Sequence, residues 1–444
     1  MKKLSLVEVI SMAVGTMIGA SIFSVFGLGA KVAGHDLPEA FLLSGIYALV
    51  VAYSYAILGS KIISNAGPIG FILKGLGDSI VTGALSILFW MSYVVSIALL
   101  VKGFSGYFLP LLHLDVNYLN MAIVESVLIL IFVALNFFGS KAVGKSELFI
   151  VITKLTILFV FIIGGISTIQ GANIQPDFDG KHARGLVNAS VIFFLSYMGF
   201  GLITNASENL KNPKRNVPRA IFISIFFVIA IYVLISLVTL GNLSLEEVVK
   251  AEENALAMAA KPFLGQFGFL LISIGALFSI SSALNASIFG GANVAYSLAK
   301  DGELPTFFER KVWFKSTEGL YITAGLGLLF ALTFNLGDIA TITSSVFTAV
   351  YVFVVISHIK IRKEYGGKLL ILLFNLIVLN AVFIALLLYQ WRSHRNAFYG
   401  TLITFAASLL VEYIFRIFRR RKFTEHHKSQ FTHIKPADSN TKQD

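Results

Sequence analysis

Three charged side chains interrupt long apolar stretches of the sequence: Lys102, Glu125 and Lys154. An ionisable group inside hydrocarbon is costly, so each is a candidate for binding an ion or a proton. Lys102 and Glu125 fall in the outer halves of their predicted helices, where we expect them to pair structurally or to reach the outer interface. Lys154 lies about 12–13 Å from the inner end of its helix at about 1.5 Å per residue. From that depth its side chain either snorkels to the interface or, because burial disfavours the ammonium form, exchanges a proton.

Two other apolar stretches contain small-residue interruptions. Residues 15–23 read Gly-Thr-Met-Ile-Gly-Ala-Ser-Ile-Phe, and residues 193–201 read Phe-Phe-Leu-Ser-Tyr-Met-Gly-Phe-Gly. Unwound backbone at membrane depth is tolerated only where it lines a polar site. There, half-helix N-termini attract a carboxylate and freed carbonyls attract a cation, so a zwitterion fits both. Gly15 and Gly19 also form a small-xxx-small packing motif; the matching interruption in the second stretch favours the binding site.

Enzyme and channel chemistry are poorly supported by the sequence. The chain has no Cys, which excludes thiol nucleophiles and Cys-based metal sites. It has no His-Glu-x-x-His or Gly-x-Ser-x-Gly motif. Residues 75–78 match the Gly-x-Gly-Asp pattern of intramembrane aspartyl proteases, but no second aspartate lies at membrane depth, so we expect Asp78 to cap a helix. A channel needs charge rings or a carbonyl filter, whereas two localised breaks suit one occluded site. We therefore predict no enzyme, cofactor or metal.

The apolar stretches themselves predict an all-α integral membrane protein. Of 444 residues, 56% are apolar and 13% are charged, with a mean hydropathy of +0.81, against about 45–50% and about 25% in soluble domains. A membrane helix needs about 20 apolar residues. Twelve stretches meet this requirement: residues 6–30, 40–60, 80–108, 119–138, 146–170, 186–207, 218–240, 264–299, 319–336, 339–359, 369–390 and 396–416.

The Lys and Arg residues predict the orientation of these spans. Excluding the tail, 18 fall in segments that lie inside if the N-terminus is inside, against 7 in the outer loops. By the positive-inside rule, the protein is a multi-pass protein of the cell membrane with both termini in the cytoplasm. The net charge of +11 then reflects the orientation of the protein in the membrane. We expect these basic residues to contact the lipid bilayer rather than nucleic acid.

The two interruptions are five spans apart, so their helices have opposite orientations. We therefore predict a five-plus-five inverted repeat with a discontinuous first helix in each half, spans 1 and 6. Residues 1–170 form the first repeat and residues 186–362 the second. Residues 369–416 add helices 11 and 12, and residues 417–444 form a basic, polar cytoplasmic tail.

Three stretches give the chain a recognisable resemblance to the amino acid–polyamine–organocation (APC) superfamily of secondary transporters, and within it to an archaeal amino-acid transporter. Residues 15–23 are similar to the first-helix break of the superfamily. Residues 194–201 and 208–220 resemble helix 6 and its inner loop, whose run Asn-Pro-Lys-Arg-Asn-Val-Pro is the most specific feature. Asn285, Ala286 and residues 296–305 resemble helix 8 and the loop after it. The resemblance implies the LeuT-like inverted-repeat fold and alternating access.

The resemblance also implies a set of substrate-binding residues. Backbone amides would bind the α-carboxylate of an amino acid, carbonyls would bind its α-ammonium, and aromatic rings would shape the pocket. The amides are those of Ile18, Gly19, Ala20 and Ser21, and the carbonyls are those of Met17, Leu195 and Met198. The rings are those of Phe194, Tyr197 and Phe200. Gly199 and Gly201 of the same break complete the set of substrate-binding residues. Lipid contact or packing is the alternative for each aromatic ring.

Proton coupling is the expected energy source. Helix 5 of proton-driven relatives carries a lysine where this chain has Lys154, and that ammonium would occupy the cation site between helices 1 and 8, touching Ser281 or Ser282. The predicted pocket segments contain no Asp or Glu, which favours neutral amino acids with broad specificity. An exchanger or a sodium-coupled symporter of the same fold is the alternative function. The sequence does not indicate an oligomeric state.

Overall fold

The architecture comes from a computed structural model, which describes residues 3–64, 67–136, 143–171, 180–300, 304, 306–311 and 317–419. The predicted tail after residue 419 lies outside the described residues. The described chain is helical, and its β-pairing is limited to two isolated bridges, Leu4 with Leu210 and Lys311 with Thr317. The α-helices are α1 Leu6–Ser24, α2 Phe26–Ala33, α3 Leu37–Lys61, α4 Pro68–Leu76, α5 Ile80–Leu111, α6 Tyr118–Asn136, α7 Val143–Ile166, α8 Gly180–Phe193, α9 Gly201–Asn205, α10 Pro213–Asn242, α11 Leu245–Ala251, α12 Ala255–Lys300, α13 Glu318–Thr333, α14 Leu336–Tyr365, α15 Leu369–Ser393 and α16 Arg395–Arg419.

The number of membrane spans agrees with the hydropathy prediction. Eleven helical segments of the described residues are long and apolar enough to cross a bilayer. The apolar helix α13 has only 16 residues, or about 24 Å at about 1.5 Å per residue, and with it the count reaches the predicted twelve. Only a short segment separates α13 from α14, and the two are distinct helices. The side chain of Asn335 accepts a hydrogen bond from the Asp338 amide, 2.8 Å away, and so caps the start of α14.

The first span is discontinuous, but its break is not where residues 15–23 predicted it. Helix α1 continues to Ser24, and the interruption falls at Val25 (φ −108°, ψ 5°) before α2 begins. The small residues serve close packing instead. A Cβ on Gly15 would lie 2.5 Å from Val151 of α7, and one on Gly19 would lie 2.9 Å from Ala283 of α12.

The sixth span is interrupted at the predicted place. Helix α8 ends at Phe193, a 3₁₀ segment occupies Phe194–Phe200, and α9 begins at Gly201. The start of the first span and the segment after α9 of the sixth span are joined by backbone hydrogen bonds, because Leu4 donates to Asn209 over 2.7 Å and accepts from Lys211 over 2.9 Å. The five-plus-five repeat and the division at residues 170 and 186 stay predictions.

Ion pairs and a helix cap stabilise the helices next to the two interrupted spans. As expected, Lys102 of α5 pairs with Glu125 of α6, with 3.2 Å between Nζ and Oε1. The cap of α5 is Ser79, whose hydroxyl accepts from the Thr82 amide over 3.2 Å. The prediction that Asp78 is the cap was wrong, because its carboxylate instead accepts a hydrogen bond from Arg416.

Helix α4 follows the second span, and hydropathy alone did not predict it. It packs on the C-terminal half of α14 through Gly75, where an added Cβ would lie 2.5 Å from the Cβ and 2.6 Å from the Cα of Ser357. This contact admits no side chain without a shift of one helix, so α4 is held against a core helix and not free at the membrane surface.

We therefore expect Gly75→Ala to destabilise the protein by about 1–3 kcal/mol through overpacking. Gly325→Ala is the matched control, because a Cβ there meets nothing within 4 Å. Thermal unfolding in detergent measures both variants. Equal unfolding temperatures for the two variants would contradict the packing of α4 described above.

Candidate substrate-binding site

A cavity lies where the two interrupted spans meet the third, eighth and tenth spans. Water can occupy about 160 Å³ of it, against the about 10–15 Å³ that one water molecule needs, so its volume is sufficient for several waters or a small zwitterion. Its wall includes Gly15, Thr16 and Met17 of α1 and Leu195, Met198 and Gly199 of the 3₁₀ segment. None of the lining side chains in the described part of the chain is Asp, Glu, Lys or Arg.

The two interrupted spans touch through their backbones beside this cavity. A Cβ on Gly199 would lie 2.8 Å from the Met17 amide nitrogen and 2.9 Å from the Ala13 carbonyl oxygen. Only glycine allows this approach, because the atoms in the way are backbone and cannot rotate aside. The contact brings peptide groups of opposite-running helices to one place.

Six of the sequence-predicted site residues line the cavity: Met17, Leu195, Met198, Gly199, Gly201 and Ser282. Ile18 is fully buried outside the cavity lining, and Gly19 faces Ala283 in the packing contact described above. The side chains of Ala20 and Ser21 lie outside the described part of the structure. The assignment of amides 18–21 to a carboxylate therefore stays a prediction.

The three predicted aromatic residues stand behind the cavity wall. Tyr197 is fully buried and donates its hydroxyl hydrogen to the Phe41 carbonyl over 2.8 Å. Phe194 and Phe200 both pack on Tyr351, with ring centroids 5.7 and 5.8 Å apart. The lining rings come from other helices, namely Tyr55, Phe89, Tyr93, Phe347 and Tyr351. The sequence offered no signal for choosing these rings, since it contains 40 Phe and 15 Tyr.

Lys154 reaches the first span at the edge of the cavity. Its side chain is buried, with 3% of the residue exposed, and its ammonium donates a hydrogen bond to the Gly15 carbonyl. Gly15 is itself a lining residue. The Lys154 side chain is thereby placed against a backbone carbonyl of the first span, and its proton-coupling role stays a prediction.

A serine of α12 contacts the same helix, but it is not one that the sequence singled out. The Ser279 hydroxyl lies 3.2 Å from the Ile18 carbonyl oxygen and 3.3 Å from that of Gly19. Ser282, one turn further on, faces the cavity. A contact of Lys154 with Ser281 or Ser282 stays a prediction.

Tyr232 of α10 is a site residue that sequence reasoning missed. Its fully buried hydroxyl lies 2.5 Å from the Met17 carbonyl oxygen and 3.3 Å from that of Ser196. One hydroxyl group therefore joins the two interrupted spans. From the sequence alone, a tyrosine within an apolar span is expected to contact lipid, and the position of Tyr232 in its span does not indicate that it faces the two interrupted spans.

Comparison with known proteins identifies the family of this chain. Residues 4–410 match the amino acid permease family, and the chain belongs to that family. It is 63% identical to the uncharacterized protein MJ0609 of Methanocaldococcus jannaschii, covering 95% of this chain and 97% of that protein. It is 32% identical to the inner membrane transport protein YbaT of Escherichia coli, with the same coverage, and 26% identical to the methylthioribose transporter of Bacillus subtilis, with 82% of each chain covered. The protein is a multi-pass membrane transporter of amino acids and not an enzyme.

We expect Tyr232→Phe to lower the free energy of unfolding by about 1–3 kcal/mol, because two buried carbonyls lose their shared donor. Tyr107→Phe is the control, since the buried Tyr107 hydroxyl has no hydrogen-bond partner, and its removal is expected to be neutral. Thermal unfolding in detergent compares the two. A stable Tyr232→Phe protein would show that the hydroxyl does not hold the spans together.

Proposed function

We propose that the protein is a proton-coupled symporter of neutral amino acids with broad specificity, working by alternating access in the cell membrane with both termini in the cytoplasm. Lys154 carries the coupling proton. The observation that carries this proposal is the hydrogen bond from the buried Lys154 ammonium to the carbonyl of Gly15, a residue that also lines the cavity. The excess of Lys and Arg in the inner segments supports the orientation.

The position of Lys154 links its charge to the shape of the first span. The protonated amine is a charge-assisted donor and binds the Gly15 carbonyl strongly. Loss of the proton leaves a neutral amine, which donates weakly and lets α1 separate from α7. Burial makes that loss accessible, because a desolvated ammonium is disfavoured. Proton binding therefore favours the packed arrangement of α1, and proton release favours its movement.

The cavity chemistry supports a neutral substrate. A zwitterion brings one carboxylate and one ammonium, which amide and carbonyl groups of the interrupted spans compensate as dipoles. A third charge on the substrate side chain would find no opposite charge among the lining residues of the described chain. Leu99, Leu100 and Val350 form an apolar part of the wall that suits small or medium aliphatic side chains.

We expect Lys154→Ala to abolish the dependence of amino-acid uptake on an inward proton gradient in proteoliposomes. Lys154→Arg is expected to fail in the same way, because arginine keeps its proton. Lys261→Ala is the control, since Lys261 is an exposed lysine that rests on the Phe269 ring. Gradient-driven uptake by Lys154→Ala at the parental rate would exclude the proton role of Lys154.

We expect labelled alanine uptake to be inhibited by unlabelled alanine, serine and leucine and not by arginine or a polyamine. The physical reason is the cost of an uncompensated cation in the cavity. Competition at equal concentrations in proteoliposomes measures this order. Stronger inhibition by arginine than by leucine would overturn the assignment to neutral amino acids.

A further inference from the structure

Two hydroxyl side chains in the cavity wall use their single hydrogen within their own helices. Ser96 of α5 donates to the Ser92 carbonyl over 2.7 Å. Thr343 of α14 donates to the Ile339 carbonyl over 2.7 Å, and both Ser96 and Thr343 line the cavity. A hydroxyl group has one hydrogen and two lone pairs, so a group whose hydrogen is already donated can only accept. Ser96 and Thr343 therefore offer hydrogen-bond acceptors to a ligand in the cavity.

Apolar residues accompany the two hydroxyls on the same helix faces. Leu99 follows Ser96 by three residues, so the two side chains lie on one face of α5. Phe347 follows Thr343 by four residues, so these two side chains lie on one face of α14. All four residues line the cavity. Each acceptor is therefore flanked by an apolar side chain of the wall.

The backbone groups that the proposed function assigns to a zwitterion belong to other elements. Met17 lies on α1, and Leu195 and Met198 lie on the 3₁₀ segment of the sixth span. These residues line the same cavity as Ser96 and Thr343. When the two charges of an amino acid are held at those backbone groups, the walls left for its side chain include α5 and α14.

We propose that Ser96 and Thr343 are specificity-determining residues that accept a hydrogen bond from a hydroxyl group on the substrate side chain. The favoured substrates are then the neutral hydroxy amino acids serine and threonine. This inference deepens the proposed function and rests on it. A wholly apolar pocket favours valine over its isostere threonine, by up to about 10²-fold, because the hydroxyl group loses its water partners. An acceptor in the wall replaces one of those partners.

The same two helices carry matched residues away from the cavity. The Ser92 hydroxyl of α5 donates to the Phe89 carbonyl over 2.6 Å, and the Thr348 hydroxyl of α14 donates to the Ser344 carbonyl over 2.6 Å. Both side chains are completely buried, and neither belongs to the cavity lining in the part of the chain that the structure describes. Ser92 and Thr348 therefore have the same chemistry as Ser96 and Thr343 but offer no acceptor to a ligand.

Displacement of labelled alanine from the purified protein in detergent measures the affinities for threonine and valine without a proton gradient. We expect the parent protein to bind threonine at least as tightly as valine. Ser96→Ala/Thr343→Val is expected to lower the affinity for threonine relative to valine by about fivefold or more, the value of one hydrogen bond. Its affinity for alanine is expected to match that of the parent, because alanine has no hydroxyl group. Thr343→Val alone keeps the side-chain shape and is expected to change the ratio in the same direction, which provides the measurement if the double variant does not bind alanine.

Ser92→Ala/Thr348→Val is the control and is expected to keep the parental ratio of threonine to valine affinity. Alanine binding by each variant shows that its site is folded. A parent protein that prefers valine, an unchanged ratio in the variants of the cavity wall, or an equal change in the control would overturn this inference and leave the proposed function intact. A parent protein that binds no labelled alanine would overturn both.

Discussion

The structure depends on the requirement that every peptide group inside a bilayer be hydrogen-bonded. Hydrocarbon offers no partner, so a helix can be interrupted only where protein or a polar cavity supplies one. Here the first span is interrupted at Val25 and the sixth at Phe194–Phe200. Side chains from three other spans, Lys154, Tyr232 and Ser279, bond carbonyls of the first span. Leu195, Met198 and Gly199 of the interrupted part of the sixth span lie at the cavity wall.

Charge is kept out of the cavity and placed beside it. The lining side chains in the described chain are uncharged, while Lys154 lies against the wall and Lys102 and Glu125 lie further out. In the proposed function, the neutral cavity takes a ligand with no net charge, and Lys154 beside it responds to protons without competing for that ligand. The division of labour follows from the cost of uncompensated charge in a low dielectric.

Hydropathy and charge were enough to predict the spans, because each must be about 20 apolar residues long. The sixth-span break was predictable since Gly199 and Gly201 interrupt an apolar run. The first-span break was misplaced because Gly15 and Gly19 serve close packing, a role that small residues signal equally well. The sequence could not predict the roles of the lining rings, Ser279 and Tyr232, because these roles depend on which face of each helix meets the cavity. In spans that are apolar on all sides, no periodicity in the sequence marks that face.

A structure with a bound heavy-atom amino acid tests the account most directly. Anomalous diffraction from protein soaked with free selenomethionine, after confirming that it competes with alanine for uptake, locates the ligand. The account predicts one selenium site in the cavity beside Leu195 and Met198, with the carboxylate facing amides of the first span and the ammonium facing carbonyls. A competing ligand bound elsewhere, or one held by charged side chains, would contradict it.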